Sequence, residues 1–301
     1  MPKRTICIQS PCTIRAQHRS LVVESDKGSV PIPLEDIWIL IIESHLARIS
    51  VSALSNLADA GIATLICGKT HMPNGLYLPL GAHSRHAAIV EDQLLISKPL
   101  KKRLWQKIVT AKITNQASVL SLLGFKNEAE ELKEFGGKVL SGDTNNREAV
   151  AATLYFKTLI SNGTRRNSPE GILLDYGYSV LRAGIAREAV AGGWLVSRGI
   201  HHSNNLNAFN LVDDLIEAFR PVVDLLVFDE LHGATELDTN AKHVLIELFE
   251  YSVLLGEKTY SVQAAISRML ETLKEAIVSG SAQPFLLPKI IKLQKTRVKE
   301  G

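Results

Sequence analysis

The spacing of apolar residues changes near Gly81. Before it, short apolar runs alternate with turn residues, which predicts strands joined by tight turns. The predicted strands are Thr5 to Ile8, Cys12 to Ala16, Ser20 to Glu24, Trp38 to Ile42 and Ile62 to Cys67. A helix from Ser52 to Ala60 lies among them and stops at Gly61, a residue that suits a helix C-terminus. The pattern therefore predicts a small, mainly β domain.

After Gly81 the apolar residues recur at intervals of three and four, as they do on one face of a helix. The predicted helices are Val90 to Lys98, Leu100 to Leu123, Asn127 to Leu140, Arg147 to Ser161, Gly171 to Ala191, Leu206 to Phe219, Ala241 to Leu255 and Ser261 to Val278, followed by a Lys- and Arg-rich segment from Pro288. The predicted fold class is α+β, with a small N-terminal β domain over residues 1–85 and a larger all-α domain over residues 86–301. The apolar run Trp38 to Ile42 and exposed strand edges need cover, which predicts dimerisation through the first domain.

Composition limits the function only weakly. Hydrophobic residues make up 46% and charged residues 22% of the 301 residues, as in a folded globular protein. The net charge of +3 is too small to indicate nucleic-acid binding, so any DNA site must be a local patch. Cys7, Cys12 and Cys67 have neither disulfide nor zinc spacing, which fits a reducing cytoplasm. The first ten residues lack an apolar signal core and Ile37 to Ile42 is too short to cross a bilayer, so no membrane role is expected.

The most informative stretch is GIHHSNNLNAFNLVDDLIEAFRPVVD, residues 199–224. On a helix its apolar positions form one stripe: Phe209, Val212, Ile216, Phe219 and Val223. The other side carries Asp213, Asp214 and Glu217, with His201 and His202 a short loop upstream. A solvated acidic face would explain the carboxylates, and paired histidines are often structural. The alternative is a divalent cation that offsets the carboxylate repulsion, and imidazole with carboxylates suits magnesium or manganese.

A further candidate ligand is Glu148, in NNREAVAATLYF. Asn145 or Asn146 can cap this helix, and the helix dipole alone favours an acid in the first turn. However, Ala152 and Tyr155 follow one and two turns later, so the carboxylate is expected to face a packed surface. A carboxylate kept on such a surface usually has a charged partner or a metal.

Basic residues cluster on or beside one predicted helix that also contains Trp105. They are Lys98, Lys101, Lys102, Arg103, Lys107 and Lys112. Arg165 and Arg166 are further candidates, as are the C-terminal Lys289, Lys292, Lys295, Arg297 and Lys299. Such runs are commonly solvated faces, and phosphate contact is the alternative. Gly177 and Gly184 indicate close helix packing, because no phosphate-loop pattern surrounds them.

These stretches resemble one known family. GIHHSNNLNAFNLVDDLIEAFRPVVD closely resembles the signature of the CRISPR-associated integrase endonuclease in its type II form, in which a glycine-rich turn leads to His and then D-L-x-E-x-F-R-P. NNREAVAATLYF resembles the family segment that bears the first acidic ligand. ILLDYGYSVLRAGIAREAVAGG, WQKIVTAKITNQASVL and ISVSALSNLADAGIATLIC resemble other family segments, so the similarity spans nearly the whole chain. The chain departs from the family at Ser168-Pro169-Glu170 and Asp175-Tyr176, where an Asn and an Asn-Tyr pair are usual.

The resemblance implies a catalytic C-terminal domain in which Glu148, His202 and Glu217 hold Mg²⁺ or Mn²⁺. Either adjacent histidine can match the motif, and His202 is our choice. His201, Asp213 and Asp214 are then auxiliary groups around the site. The implied reaction is insertion of short foreign DNA into a CRISPR array by phosphodiester transesterification, with cleavage when water replaces the attacking 3′-hydroxyl.

The resemblance also implies the partners: a homodimer, a small ferredoxin-like subunit of the adaptation complex, and double-stranded DNA as protospacer and repeat. DNA contact is expected from Lys101, Lys102, Arg103, Lys107, Arg165 and Arg166. Two rival functions are a non-catalytic DNA-binding scaffold and a helical metal phosphohydrolase of small nucleotides. Manganese-dependent cleavage or joining of DNA distinguishes the first, and a parallel assay on nucleotides distinguishes the second.

Overall fold

The computed structural model describes residues 3–80, 83–160 and 164–296. It divides into two compact units, of which the first ends at Ser84 and the second begins at Arg85. The α+β class, with a β unit ahead of a mainly helical one, is confirmed. No helix among the described residues is long and apolar enough to span a membrane. No disulfide joins Cys7, Cys12 and Cys67 within the residues that the structure describes.

Within residues 3–80, the first unit contains two four-stranded sheets and one α-helix. Its elements are β1 Arg4–Ile8, β2 Thr13–Gln17, β3 Ser20–Ser25, β4 Gly28–Pro33, β5 Ile37–Ile42, β6 Arg48–Ile49, α1 Val51–Asp59, β7 Ala63–Cys67 and β8 Pro73–Tyr77. One sheet has the order β1-β5-β7-β8 and the other β4-β3-β2-β6. The five predicted strands and the predicted helix are all present, and β4, β6 and β8 are additional.

Strand β5 explains the apolar run at Trp38 to Ile42. It pairs in parallel with both β1 and β7, and its residues from Ile37 to Ile41 are buried. Ile37 and Leu40 belong to the core of this unit, together with Leu57 of α1. A central parallel strand is covered on both faces, which produces a continuous apolar run. The expectation that this run needs a second subunit for cover is therefore wrong.

The second unit is built mainly from nine helices within the described ranges. They are α2 His86–Leu94, α3 Lys98–Leu122, α4 Lys126–Gly137, α5 Arg147–Leu159, α6 Pro169–Ala191, α7 Asn210–Ile216, α8 Arg220–Leu225, α9 Thr239–Ile246 and α10 Val262–Ser279. The predicted end of α5 at Ser161 lies outside the described residues. Helix α2 ends earlier than predicted, because extended Ser97 caps α3 with a hydrogen bond from the Leu100 amide. Gly177 lies where a Cβ would collide with Val223, so close packing is confirmed there.

The second unit also contains a three-stranded antiparallel sheet that the pattern did not predict. Its strands are β9 Tyr251–Leu255, β10 Lys258–Ser261 and β11 Pro288–Lys295, in the order β10-β9-β11. The predicted helix Ala241 to Leu255 is wrong over its last five residues, because a short apolar run fits a strand as well as a helix. The predicted basic tail is largely β11, and Arg297 and Lys299 lie outside the described residues.

Candidate active site

The acidic helix is interrupted at Glu217. Helix α7 ends at Ile216 and α8 begins at Arg220, although the sequence pattern predicts helix through Phe219. Pro221 has no amide hydrogen to donate to the carbonyl four residues earlier, which explains the break. Glu217 is therefore presented at a helix end, and it is only 7% exposed. Asp214 is fully buried, so the interpretation of a solvated acidic face is wrong for these two carboxylates.

Glu148 is positioned by a cap that the sequence did not reveal. The Asp143 carboxylate accepts hydrogen bonds from the amides of Arg147 (2.8 Å) and Glu148 (3.2 Å). Asn145 instead contacts Lys138 and Leu140 through its side chain, and no side-chain cap comes from Asn146. The predicted asparagine cap is therefore wrong. Glu148 still lies in the first turn of α5, because the Asp143 carboxylate fixes that turn.

Glu148 and Glu217 meet at one point. The ammonium of Lys112, on α3, lies 2.7 Å from Glu148 Oε1 and 2.5 Å from Glu217 Oε2. Arg220 Nε lies 3.0 Å from the other Glu217 oxygen. Burial alone would raise the pKa of Glu217, but the positive charges of Lys112 and Arg220 outweigh it and hold that pKa below its usual value. Two carboxylates from distant segments thus meet at a single ammonium group.

Asp214 organises the loop that carries the histidines. Its carboxylate accepts hydrogen bonds from the amides of Ile200 (2.5 Å), His201 (2.9 Å) and His202 (3.0 Å). It also lies 2.7 Å from Nδ1 of the His202 ring. Gly199 is required beside it, because a Cβ there would collide with Asp214 and with the His202 carbonyl. Asp214 is thus a support for the loop and for the His202 ring.

The two histidines have different surroundings. The hydrogen bond to Asp214 raises the pKa of His202 above its ordinary value, against the opposing effect of burial, and the charge of Glu217 acts in the same direction as the hydrogen bond. An imidazole held through Nδ1 presents Nε2 outward, which is how metal-binding histidines are commonly oriented. The His201 ring instead stacks on Trp105, with ring centroids 4.2 Å apart. The geometry therefore favours His202 as the candidate ligand.

Asp213 points to a different partner. Its oxygens accept hydrogen bonds from Arg182 on α6 at 2.6 and 2.9 Å, and a further bond comes from Asn207. Burial raises the pKa of Asp213, but these hydrogen bonds dominate and the net pKa is lowered. Asp213 thus attaches α7 to α6, which is a supporting role.

Behind the paired carboxylates lies a cavity of about 220 Å³. It is lined by Lys112, Gln116, Phe156, Arg165, Tyr178, Glu217, Arg220 and Asp224. Asp224 is buried and accepts hydrogen bonds from the hydroxyls of Tyr155 (2.9 Å) and Tyr178. Burial raises the pKa of Asp224 to about 6, although both hydroxyls and Arg220 oppose the shift. Reasoning from the sequence did not single out Asp224 or Arg220, and the only signal was their place in the F-R-P-V-V-D continuation.

The candidate DNA-contacting residues do not share one environment. Lys101 lines a second cavity, of about 260 Å³, together with His202, while Lys102, Arg103 and Arg166 are exposed. The Lys107 ammonium donates to the carbonyls of Ala282 and Gln283, and burial lowers its pKa. Arg165 forms an ion pair with Asp175 at 2.7 Å. Lys101 thus lies beside the candidate ligand His202, and Lys102 next to it in the sequence is open to solvent.

The residues fit a divalent cation in part. Among the described residues, no group of three His, Cys, Asp or Glu side chains is arranged to hold a metal. Glu148 and Glu217 nevertheless converge, and Glu217 Oε2 is a buried oxygen with an ion-pair contact but no hydrogen bond of good geometry. An oxygen donor pair with a nearby imidazole suits Mg²⁺ or Mn²⁺. The assignment of all three ligands stays a prediction.

Comparison with known proteins agrees with this architecture. Residues 6–239 match the model of the family described as CRISPR associated protein Cas1. The chain is 38% identical over 300 residues to the CRISPR-associated endonuclease Cas1 of Neisseria meningitidis serogroup C (strain 8013), covering 98% of this chain and 99% of that protein. The chain therefore belongs to the Cas1 family, and the family predicted from its residues is confirmed.

Solved structures share the fold at low sequence identity. A chain of a "Cas6-RT-Cas1--Cas2 complex" superposes with a TM-score of 0.74 and 20% identity, covering 96% of this chain and 36% of the other. A "Casposase bound to integration product" superposes with a TM-score of 0.71 and 16% identity, covering 93% and 92% of the two chains. At these identities the likeness establishes the fold.

Proposed function

We propose that this protein is a metal-dependent DNA endonuclease and integrase, which inserts short double-stranded DNA fragments into a CRISPR array by transesterification. The observation that carries the proposal is the meeting of Glu148 and Glu217 at the Lys112 ammonium. Support also comes from the Neisseria relative, which is named an endonuclease, and from the similar casposase, which was solved bound to an integration product. A type II system and a cytoplasmic location are part of the proposal.

In this proposal Glu148, Glu217 and His202 hold Mg²⁺ or Mn²⁺, which when bound supplies Lewis acidity at a phosphodiester. Asp214 accepts the Nδ1 proton of His202 and thereby fixes the imidazole with Nε2 as the ligand atom. The lowered pKa of Glu217 keeps this carboxylate ionised at neutral pH. Two carboxylates and one imidazole would leave other coordination positions of the metal for phosphate oxygens. Attack by a 3′-hydroxyl would displace one bridging oxygen of the target phosphodiester as a hydroxyl and join the two strands, and attack by water would displace the same oxygen and give cleavage.

The first test replaces each carboxylate separately with its amide, as Glu148→Gln and Glu217→Gln. Each change removes one negative charge from the proposed cation position while keeping the side-chain shape. We expect manganese-dependent cleavage and joining of branched DNA to fall by at least about 100-fold, since even groups that only orient a ligand cost roughly 10- to 100-fold. Gel assays of both products give the measurement.

A matched control is Glu130→Gln, which changes the same chemical group on an exposed side chain that pairs with Lys133. This variant should retain wild-type rates. Undiminished activity in both active-site amides would contradict the proposal, and absence of manganese-dependent activity in the wild type would favour a non-catalytic scaffold. Hydrolysis of free nucleotides in place of DNA would indicate the phosphohydrolase.

We propose that DNA is held chiefly by dispersed basic residues beside the site, with Lys101, Lys102, Arg103, Lys107, Arg165 and Arg166 as candidates. Changing Lys101 and Lys102 together to alanine should weaken binding and lower the slope of log affinity against log salt by about 2, because each phosphate contact contributes about 1. Chemistry at saturating DNA should persist. Fluorescence anisotropy across salt concentrations measures the slope.

Lys107→Ala provides a comparison on the same helix. Because the Lys107 ammonium already donates to two main-chain carbonyls, we expect a smaller change in salt dependence and a loss of thermal stability. A double Lys101 and Lys102 variant with an unchanged slope would place the DNA elsewhere.

We propose a homodimer that joins a small ferredoxin-like subunit. One of the similar solved structures is a "Cas6-RT-Cas1--Cas2 complex", which supports Cas2 as the partner subunit. In the first unit, edge strand β4 is largely exposed, and Val30 on it is 58% exposed, which leaves an edge available for a second chain. Light scattering of the intact protein at micromolar concentration should give the mass of two chains, and the mass of one chain would contradict the dimer.

A further inference from the structure

The ammonium of Lys112 occupies the position that the proposed function gives to a divalent cation. It lies within 2.7 Å of Glu148 Oε1 and 2.5 Å of Glu217 Oε2, and the Lys112 side chain is 11% exposed. A buried lysine between two carboxylates offsets their repulsion and keeps α3, α5 and the α7–α8 break together. A cation that binds the same two oxygens must displace this ammonium.

Gln116 offers the displaced ammonium a second partner. It lies four residues after Lys112 on α3, and side chains at this spacing are neighbours on a helix surface. Gln116 is 2% exposed, and its Oε1 atom is buried with no hydrogen-bond partner among the described residues. An unpaired buried acceptor is costly, so the fold retains an oxygen that a nearby donor would stabilise.

A cavity provides the space for this movement. Lys112, Gln116 and Glu217 line the same pocket of about 220 Å³, on the side where Phe156 and Tyr178 form the wall. The ammonium can therefore leave the carboxylates by rotation of its own side chain. The other charged groups that line this cavity are Arg165, Arg220 and Asp224.

We propose that Lys112 has two positions, one on Glu148 and Glu217 in the metal-free protein and one on Gln116 Oε1 when a divalent cation is bound. The inference rests on the proposed function, because it assumes that the two glutamates bind the cation. In the first position the lysine holds the site together and competes with the metal. In the second it stays inside the site as a positive charge beside the reacting phosphate.

Competition of this kind predicts opposite effects for two substitutions. Lys112→Met removes the competitor, so Mn²⁺ alone should bind roughly 10-fold or more tightly, because the binding-competent state is no longer a minor fraction. Gln116→Leu removes the second partner at similar volume, so Mn²⁺ should bind roughly 5-fold or more weakly. In the Lys112→Met background, Gln116→Leu should have no effect.

The experiment titrates the full-length protein with Mn²⁺ and follows the free ion by electron paramagnetic resonance. The Gln116 variant separates competition from general electrostatics, since loss of a neutral group changes no charge. Mn²⁺ affinity unchanged in Gln116→Leu, or not increased in Lys112→Met, would overturn the inference.

Two further measurements keep the outcome interpretable. If Lys112→Met does not fold, a structure of the wild type with Mn²⁺ replaces it, and Lys112 Nζ should then lie within about 3.2 Å of Gln116 Oε1. A lysine still on both glutamates in that structure would overturn the proposal. Failure of the proposed function looks different, because wild-type Mn²⁺ binding would then be absent or unaffected by Glu148→Gln and Glu217→Gln.

Discussion

Replacing His202 with alanine is expected to abolish manganese-dependent cleavage and strand transfer, with a loss of more than about 100-fold, while DNA affinity changes by less than about twofold. We expect catalysis and DNA binding to respond differently, because in the proposed function phosphate affinity depends on dispersed Lys and Arg side chains. The imidazole is instead held by Asp214, and in the proposed function it is a ligand of the metal. Paired integration assays and binding curves at several manganese concentrations measure both effects.

The neighbouring His201→Ala variant is the matched control. It removes the same ring, but His201 stacks on Trp105 and its ring is not the one held by Asp214. We expect His201→Ala to keep at least about a tenth of the activity and to lose some stability from the missing aromatic contact, about 1 kcal/mol. Full activity in His202→Ala with loss in His201→Ala would reverse the assignment of the two histidines.

The sequence predicted the order of the two units because their apolar periodicities differ. It failed where periodicity is ambiguous, as at Tyr251–Leu255, where five residues with little polar contrast form a strand. The Trp38 to Ile42 run shows a second kind of error, because a buried apolar strand was interpreted as a surface that needs cover from a second subunit. In a parallel sheet such a run lies inside its own unit.

The candidate site was predictable in part. Glu148 and Glu217 were identified from resemblance and from carboxylate clustering, and they do meet. Periodicity could not reveal which cation lies between them, because Lys112 is brought there by the packing of α3 and appeared in the sequence only as one member of a basic run. Arg182 and Arg220, which pair with Asp213 and Glu217, depend on the same kind of three-dimensional contact.

Supporting groups were the hardest to foresee. Asp213 and Asp214 are adjacent and chemically identical, yet one pairs with Arg182 and the other is buried against three amides and an imidazole. A helical pattern places both on one side and gives no means of ranking them. The difference comes from the loop at Ile200 to His202, whose turn no periodic pattern describes.

This difference leads to a prediction about stability. Asp214→Ala would leave the amides of Ile200, His201 and His202 without their buried acceptor and would release the His202 ring. Removing one partner from such a buried charged network costs about 3–5 kcal/mol. We therefore expect the midpoint of urea unfolding to fall strongly, and manganese-dependent activity to be lost even where the protein remains folded.

The matched control is Asp213→Ala, which removes the same group one residue earlier. Because the Asp213 side chain is 22% exposed and Arg182 can turn to solvent, its loss should cost only about 1–2 kcal/mol. Combining Asp214→Ala with His202→Ala measures their coupling, which should be large because both changes act on one hydrogen-bonded unit. Equal destabilisation by the two aspartate variants, or additive effects in the double variant, would show that Asp214 does not hold the histidine loop in the way the contacts indicate.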